Sequence, residues 1–500
     1  MTTSTRSTPA TLRSRHASAR LFTALVAAGL ASTVAQAQTA ITLASGLTGK
    51  SGAPTTNAST SGFTSGSQAS GSTTGTFLDI SLAASNSTGA ALGAGNSGDT
   101  LTLANGFVGT SSDFSINQLI FTNTVTSGLT GAGYANTTTP SNPASVKTLT
   151  LGSGGMTNSS ATKAVNLDTT LTIDTGSTTQ TWTAGTQLLS VYGNVKGTGT
   201  INISGTTVTL RNPGTSDFSG TWVVGGSSAI LATRGNGAAL GTGKVLLQNS
   251  GTLGVNRFAG SGSATVANNI VIGSGGTGGT LQVGTNTTAT FTGSISNDTA
   301  AVTTPIYILK FTAAGNGTTI ANVSGDLSGH VGNMFLGGTV SSGGVTSDAT
   351  GFTANFTSTS TLSFSIGANK LVDTIDTTTN ALIRAGSTGV NVTTVGFNGK
   401  FSIDLTGANT TTGNSWNLVD AVNLNESYGS NFSVSSTALE VFTNSGGVWS
   451  LTKAGSTWSY DQSTGALSVA ASAVPEPATY AALAGLGILG FAVYRRRKQS

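Results

Sequence analysis

A four-residue alternation recurs along the chain: threonine, an aliphatic residue, a polar residue, then a second apolar one. It stands at Thr100-Leu101-Thr102-Leu103, Thr148-Leu149-Thr150-Leu151, Thr170-Leu171-Thr172-Ile173 and Thr200-Ile201-Asn202-Ile203. It returns at Thr207-Val208-Thr209-Leu210, Thr280-Leu281-Gln282-Val283 and Thr361-Leu362-Ser363-Phe364. A period of two marks a strand with one buried face. Gly, Asn and Ser clusters flank nearly every copy and supply the turns. A strand of four residues has too little buried surface to stand alone. Stacked coil on coil, such strands bury one continuous aliphatic column, which is the logic of a β-solenoid. Outward threonines suit this arrangement, because β-branched side chains pack well on a pleated surface. The pattern predicts an all-β solenoid body over 38–360.

Residues 361–473 form a C-terminal β region of different character. Trp416, Trp449 and Trp458 lie there with Tyr428 and Tyr460. A solenoid end exposes strand edges that invite further pairing. An aromatic-rich segment is suited to covering one, so a cap is expected; a platform of aromatic faces for stacking on sugars is the competing reading.

Composition narrows the classes. Glycine supplies 70 of 500 residues and charged residues only 8%. The 37% hydrophobic content argues against disorder, which pairs low hydrophobicity with high net charge. The formal charge of +4 comes from the two ends, since eight of the 21 basic residues are Arg6, Arg13, Arg15, Arg20, Arg495, Arg496, Arg497 and Lys498. The body between them carries more acids than bases, so it has no basic patch to neutralise phosphates and no nucleic-acid partner is expected. The absence of cysteine excludes disulfides, thiolate metal sites and cysteine nucleophiles.

The ends read as targeting segments. The first 20 residues hold four arginines and no acid, and an apolar run follows from Leu21 to Leu30. Ala35-Gln36-Ala37 then supplies small residues at both key positions of an A-x-A cleavage site. This is the three-part secretory pattern, which makes 1–37 a signal peptide, helical in its apolar part and cut after Ala37. At the other end, over 474–500, Val474-Pro475-Glu476-Pro477 precedes an uncharged stretch from Ala478 to Tyr494 and the basic run Arg495-Arg496-Arg497-Lys498. As a helix, 478–494 is roughly 25 Å long, which predicts a single transmembrane helix. The basic run stays cytoplasmic by the positive-inside rule. The two prolines keep the segment ahead of the helix extended and open to an enzyme.

This tail resembles the PEP-CTERM sorting signal: the motif Pro475-Glu476-Pro477, then the apolar stretch, then the basic anchor. The resemblance implies an exosortase, a membrane protease-transpeptidase, as processing partner. It also implies an inner-membrane-anchored precursor delivered to the cell surface or the exopolysaccharide matrix, with exopolysaccharide a further partner. The body carries a second resemblance. Asp217-Phe218-Ser219-Gly220-Thr221-Trp222-Val223-Val224-Gly225-Gly226, then Ala239-Leu240-Gly241, then Gly251-Thr252-Leu253 looks like the autotransporter-associated β-strand repeat. A degenerate copy stands at Asp326-Leu327-Ser328-Gly329-His330-Val331. This resemblance implies a right-handed parallel β-helix. No β-barrel translocator pattern follows the repeats, so self-transport is not expected.

Candidate chemistry is sparse. His330 is the one histidine outside the signal, and its Ser-Gly-His-Val setting reads as repeat rather than active site. Asp373 and Asp376, three apart, point to opposite faces of a strand. Asp168 and Asp174 share a face but lie some 20 Å apart along an extended strand. Two carboxyls flanking one bond, as sugar cleavage needs, are therefore not evident. The expectation is a non-enzymatic structural or adhesive surface protein without cofactor or metal. The alternative is a β-helix lyase or hydrolase acting on polysaccharide.

Overall fold

The computed structural model describes residues 113–121 and 146–498, apart from 163, 168, 170, 236, 258–260, 274–277, 299–306, 316, 331, 342–343, 348–350, 367–381, 386–392 and 473–476, together with short strand segments between 40 and 131. The described body is mostly β, in long parallel sheets of the kind a solenoid builds.

Three sheets run along it. In the first, Thr179–Ala184, Thr200–Gly205, Thr221–Gly225 and Lys244–Gln248 pair in sequence, in parallel. Thr179 faces Thr200 and Thr200 faces Thr221, so the chain returns to the same place after 21 residues. The second sheet is built from Leu189–Val191, Thr207–Leu210, Ile230–Thr233, Gly251–Val255, Gly279–Val283 and Ile308–Ala313. The third contains Gly262–Val266, Thr287–Phe291, Thr319–Val323, Phe352–Phe356, Thr393–Phe397 and Leu424–Tyr428. One circuit visits all three: Gly279–Val283, then Thr287–Phe291, then Ile295–Asn297, before Ile308–Ala313 opens the next. Beyond Leu327, the place of the first sheet is taken by Thr361–Ser365, Lys400–Asp404 and Ser433–Ser436. Leu327 itself bridges to Leu362, and the Ile295 N–H donates to the Asp326 carbonyl at 2.9 Å across that junction.

The alternating apolar residues fill the interior. Ile201, Trp222 and Val245 stack in register in one column, and Leu253, Leu281, Phe311 and Leu336 in another; all are fully buried. Toward the end of the coils the filling becomes aromatic, with Phe291, Phe311, Phe356, Phe397 and Phe401 in ring contact at centroid distances of 5.2–6.4 Å. The two Asp-apolar-Ser-Gly motifs share a physical role. Phe218 and Leu327 each turn inward from a very short bridge and are buried.

The second sheet is largely buried on its outward side as well. Its outward threonines Thr209, Thr280 and Thr312 are 0%, 5% and 1% exposed. Outward Ser190 and Gln282 are buried as well. Alternation reports which side chains face the interior, not whether the other side of the sheet is open, and threonine fits either setting.

The corners are held by side-chain amides and glycines. Gly241, just past the buried turn Gly237–Leu240, has φ +72°, and a Cβ there would strike the Phe218 carbonyl. Asn268, buried one coil on, donates its Nδ2 to the carbonyls of Gly241 and Gly243 at 3.0 and 2.6 Å. Asn268→Ala leaves both carbonyls without this partner. The expected cost is about 1–3 kcal/mol, read as a lower urea midpoint; an unchanged midpoint would show that the corner does not depend on the amide.

After the last coil the topology changes. Ser415–Asn417, Ala466–Ala471, Ser456–Asp461, Val448–Lys453 and Thr443–Ser445 form an antiparallel sheet in that order. Its aromatics turn inward. Tyr460 packs on Phe401 of the last coils at 5.5 Å, and Trp416 packs on Trp458 at 5.7 Å.

Candidate functional site

The described part of the C-terminal tail is a helix, Pro477–Arg497. Proline suits its first position, where the ring fixes a helical φ and the missing N–H has no helical partner to lose. Arg495, Arg496 and Arg497 occupy the last turn, where cations complement the carbonyl end of the helix dipole. Lys498 follows, its Nζ 5.9 Å from the centre of the Tyr494 ring. Leu483, Leu486, Ile488, Leu489 and Phe491 are all 62–71% exposed. At 100° per residue these positions circle the whole helix, so it has no polar face for water.

The expected span over 478–494 falls within this helix. Among the described residues, no helix is long and apolar enough to cross a membrane. Pro475 and Glu476 lie outside the described residues, as do Ala35 and Ala37 of the predicted cleavage site.

Of the residues weighed for catalysis, Asp174 and His330 are among the described ones, and each serves a structural contact. Asp174 is paired with Lys196 at 3.1 Å and accepts from the Gly176 N–H at 2.9 Å, an arrangement that holds a turn. Asp168, Asp373 and Asp376 lie outside the described residues. His330 is buried, its Nδ1 2.6 Å from the Asn297 Oδ1 of the preceding coil. Burial lowers its pKa to about 4, against an opposing backbone hydrogen bond at Asn333. The imidazole is therefore a neutral strut between coils. Of the five aromatics weighed, Trp416, Trp458 and Tyr460 are buried, Trp449 and Tyr428 are partly buried, and the Tyr428 and Tyr460 hydroxyls bond each other at 2.8 Å. Burial pushes both phenols above their ordinary range.

One group was missed by the sequence reading. Ile383 bridges Val419, which sets Arg384 and Asp420 side by side on the outside of the second sheet. Asp420 is 8% exposed, and the Asn423 Nδ2 donates to its two carboxylate oxygens at 3.0 and 2.9 Å. Arg384 lies over the Phe335 ring at 5.5 Å; burial lowers its pKa and the Asp420 charge opposes that. Glu426 is pushed up, mainly by burial and further by Asp420. Asp420 also borders a cleft of about 330 Å³ with Ser415, Asn417, Ser463 and Thr464, and it is the one carboxylate in the lining. A single signal marked this place. Leu424-Asn425-Glu426-Ser427-Tyr428 puts a carboxylate at an inward position of the alternation.

No curated protein and no solved structure matches the chain. Residues 473–498, which hold the proline pair, the apolar helix and its basic end, match the family model described as the PEP-CTERM protein-sorting motif. The protein is accordingly an exported one, sorted to the cell surface through an exosortase.

Proposed function

We propose that the body is a structural or adhesive element of the cell surface or the exopolysaccharide matrix. It is delivered as a precursor at the inner membrane and released when an exosortase processes the tail. The observation that carries this reading is the tail helix, apolar on every side, exposed, and followed by a basic run. Such a helix needs an apolar partner, and a membrane-embedded processing enzyme provides one. The parallel coils fit the repeat resemblance around Phe218 and Trp222, and with it a right-handed solenoid.

Intact-mass measurement of the protein recovered from surface and matrix fractions tests this. The expected species begins at Gln38 and has lost the residues beyond Pro475-Glu476-Pro477, and replacing Glu476 by Ala leaves the tail in place. A matrix-fraction protein still carrying Arg495–Arg497 would overturn the processing step. A protein confined to the cytoplasm would overturn the whole reading.

The Asp420 cleft favours a second reading, polysaccharide cleavage, with Asp420 in the lining and Glu426 near enough to feel its charge. New reducing ends or unsaturated ends released from matrix polysaccharide by the wild type, and lost in Asp420→Asn, would establish it in place of the scaffold.

A further inference from the structure

The outward side of the third sheet is a charge-free, repeating array of hydroxyl and amide groups. Its register is unbroken. Thr288 faces Ile320, Ile320 faces Thr353, and Thr353 faces Thr394. Two residues along, Thr290, Asn322 and Asn355 make a second column that continues to Gly396. The residues between the columns, Ala289, Ala321, Ala354 and Val395, are buried, whereas the column residues are partly exposed. Across all six strands no Asp, Glu, Lys or Arg stands in either column.

The array is ordered along its length as well as across it. The Asn355 Nδ2 donates to the Asn322 Oδ1 at 3.0 Å, so the amides form a ladder. A Cβ at Gly396 would come within 2.9 Å of the Asn355 Oδ1, so glycine leaves room for that amide pair at its end. Threonine is stiff at χ1, and half-buried side chains lose little further freedom when a ligand orders them. Parallel strands lie about 4.8 Å apart and alternate residues roughly 7 Å apart along a strand. Such a surface offers at least one hydroxyl or amide at each strand step, and only a ligand that repeats can use more than one step.

We propose that this face binds a linear, neutral polysaccharide laid along the solenoid axis. Each strand step is close to the length of one pyranose ring, and sugar hydroxyls both donate and accept, as Thr and Asn require. A polyanion finds no cation in the columns. A protein partner finds no aromatic or arginine anchor, with Ile320 the one large apolar side chain. The first sheet lacks this character, because its corresponding outward positions include Val223, Leu246 and Lys244. The proposal rests on the matrix reading of the body and names the surface and polymer class through which it acts.

The test compares the mature wild-type body with two variants in co-sedimentation with an insoluble neutral β-glucan, with alginate as the anionic control. The first variant carries Thr353→Lys and Thr394→Lys, neighbours on the third sheet. The second carries Thr200→Lys and Thr221→Lys, matched neighbours on the first sheet. Retained far-ultraviolet circular dichroism shows that both fold. The expected result is that wild type binds the glucan in preference to alginate, that the third-sheet pair weakens binding at least tenfold, and that the first-sheet pair leaves it unchanged. If wild type binds but both pairs behave alike, this face is not the site and the matrix reading stands. If wild type binds no neutral polymer, including neutral polysaccharide isolated from the producing cells, the adhesive reading falls with it.

Discussion

Trp222→Ala is expected to destabilise the coils around it by about 3–5 kcal/mol. Trp222 is fully buried between Ile201 of the preceding coil and Val245 of the next. Its ring meets Phe218 at 4.6 Å and Trp182 at 5.7 Å, so removal opens a cavity shared by three circuits of chain. Its Nε1–H also donates to the Leu240 carbonyl at 2.9 Å. The alanine variant loses the transfer energy of the ring, the packing of its neighbours and the partner of a buried carbonyl at once. Trp222→Phe separates these contributions. It keeps most of the apolar filling and forfeits the hydrogen bond, for an expected cost of about 1–3 kcal/mol. Urea unfolding followed by circular dichroism measures both, and an alanine cost below the phenylalanine cost would contradict the arrangement. Neighbouring coils depend on one another in a solenoid, so the loss should spread to adjacent coils rather than unfold one in isolation.

The second large effect is acid sensitivity through His330. Its folded pKa of about 4 lies below the ordinary 6.5. Above pH 6.5 the imidazole is neutral in both states and its contribution is fully present. As pH falls below 6.5 the unfolded chain takes up a proton that the folded chain refuses, and stability declines until about pH 4. The difference corresponds to at most about 3 kcal/mol. The group stands where the first sheet gives way to its successor, against Asn297, with the Asn297 N–H donating to the Gly329 carbonyl at 2.8 Å. Replacing His330 by Asn should flatten the stability difference between pH 7 and pH 4.5 relative to wild type, with carboxylate titration common to both proteins cancelling in the comparison. An identical pH slope in the two proteins would show that His330 contributes nothing to it.

Much of the body was legible because its strands are defined by a period of two. Thr200–Ile203, Thr207–Leu210, Thr280–Val283 and Thr361–Phe364 all lie within described strands, their aliphatic members buried. The Asp-Phe-Ser-Gly and Asp-Leu-Ser-Gly segments also announced their inward turns. What the pattern could not report was the outside. Thr209 and Thr353 look alike in sequence, yet one is fully buried and the other partly exposed. That difference depends on what lies over a sheet, which alternation along one strand does not encode. The Arg384, Asp420 and Glu426 group was illegible for a related reason. Arg384 and Asp420 stand 36 positions apart and become neighbours only through the bridge between Ile383 and Val419. The tail was the easiest part to read, since its meaning lies in the order of short motifs rather than in tertiary contact.

The antiparallel sheet that follows the last coil has a consequence for how the molecule is made. A translocating chain emerges in order, and each coil can use the previous one as its template as soon as it appears. Until residues 415–471 arrive, every intermediate presents fresh strand edges with unpaired N–H and C=O groups around an apolar interior, the surface on which copies would join end to end. The contact of Tyr460 with Phe401 of the last coils is expected to act as a stop on growth, and it becomes available only when nearly all of the body has emerged. A ribosome or translocon stalled before that point would leave a self-templating filament seed in place of a finished monomer.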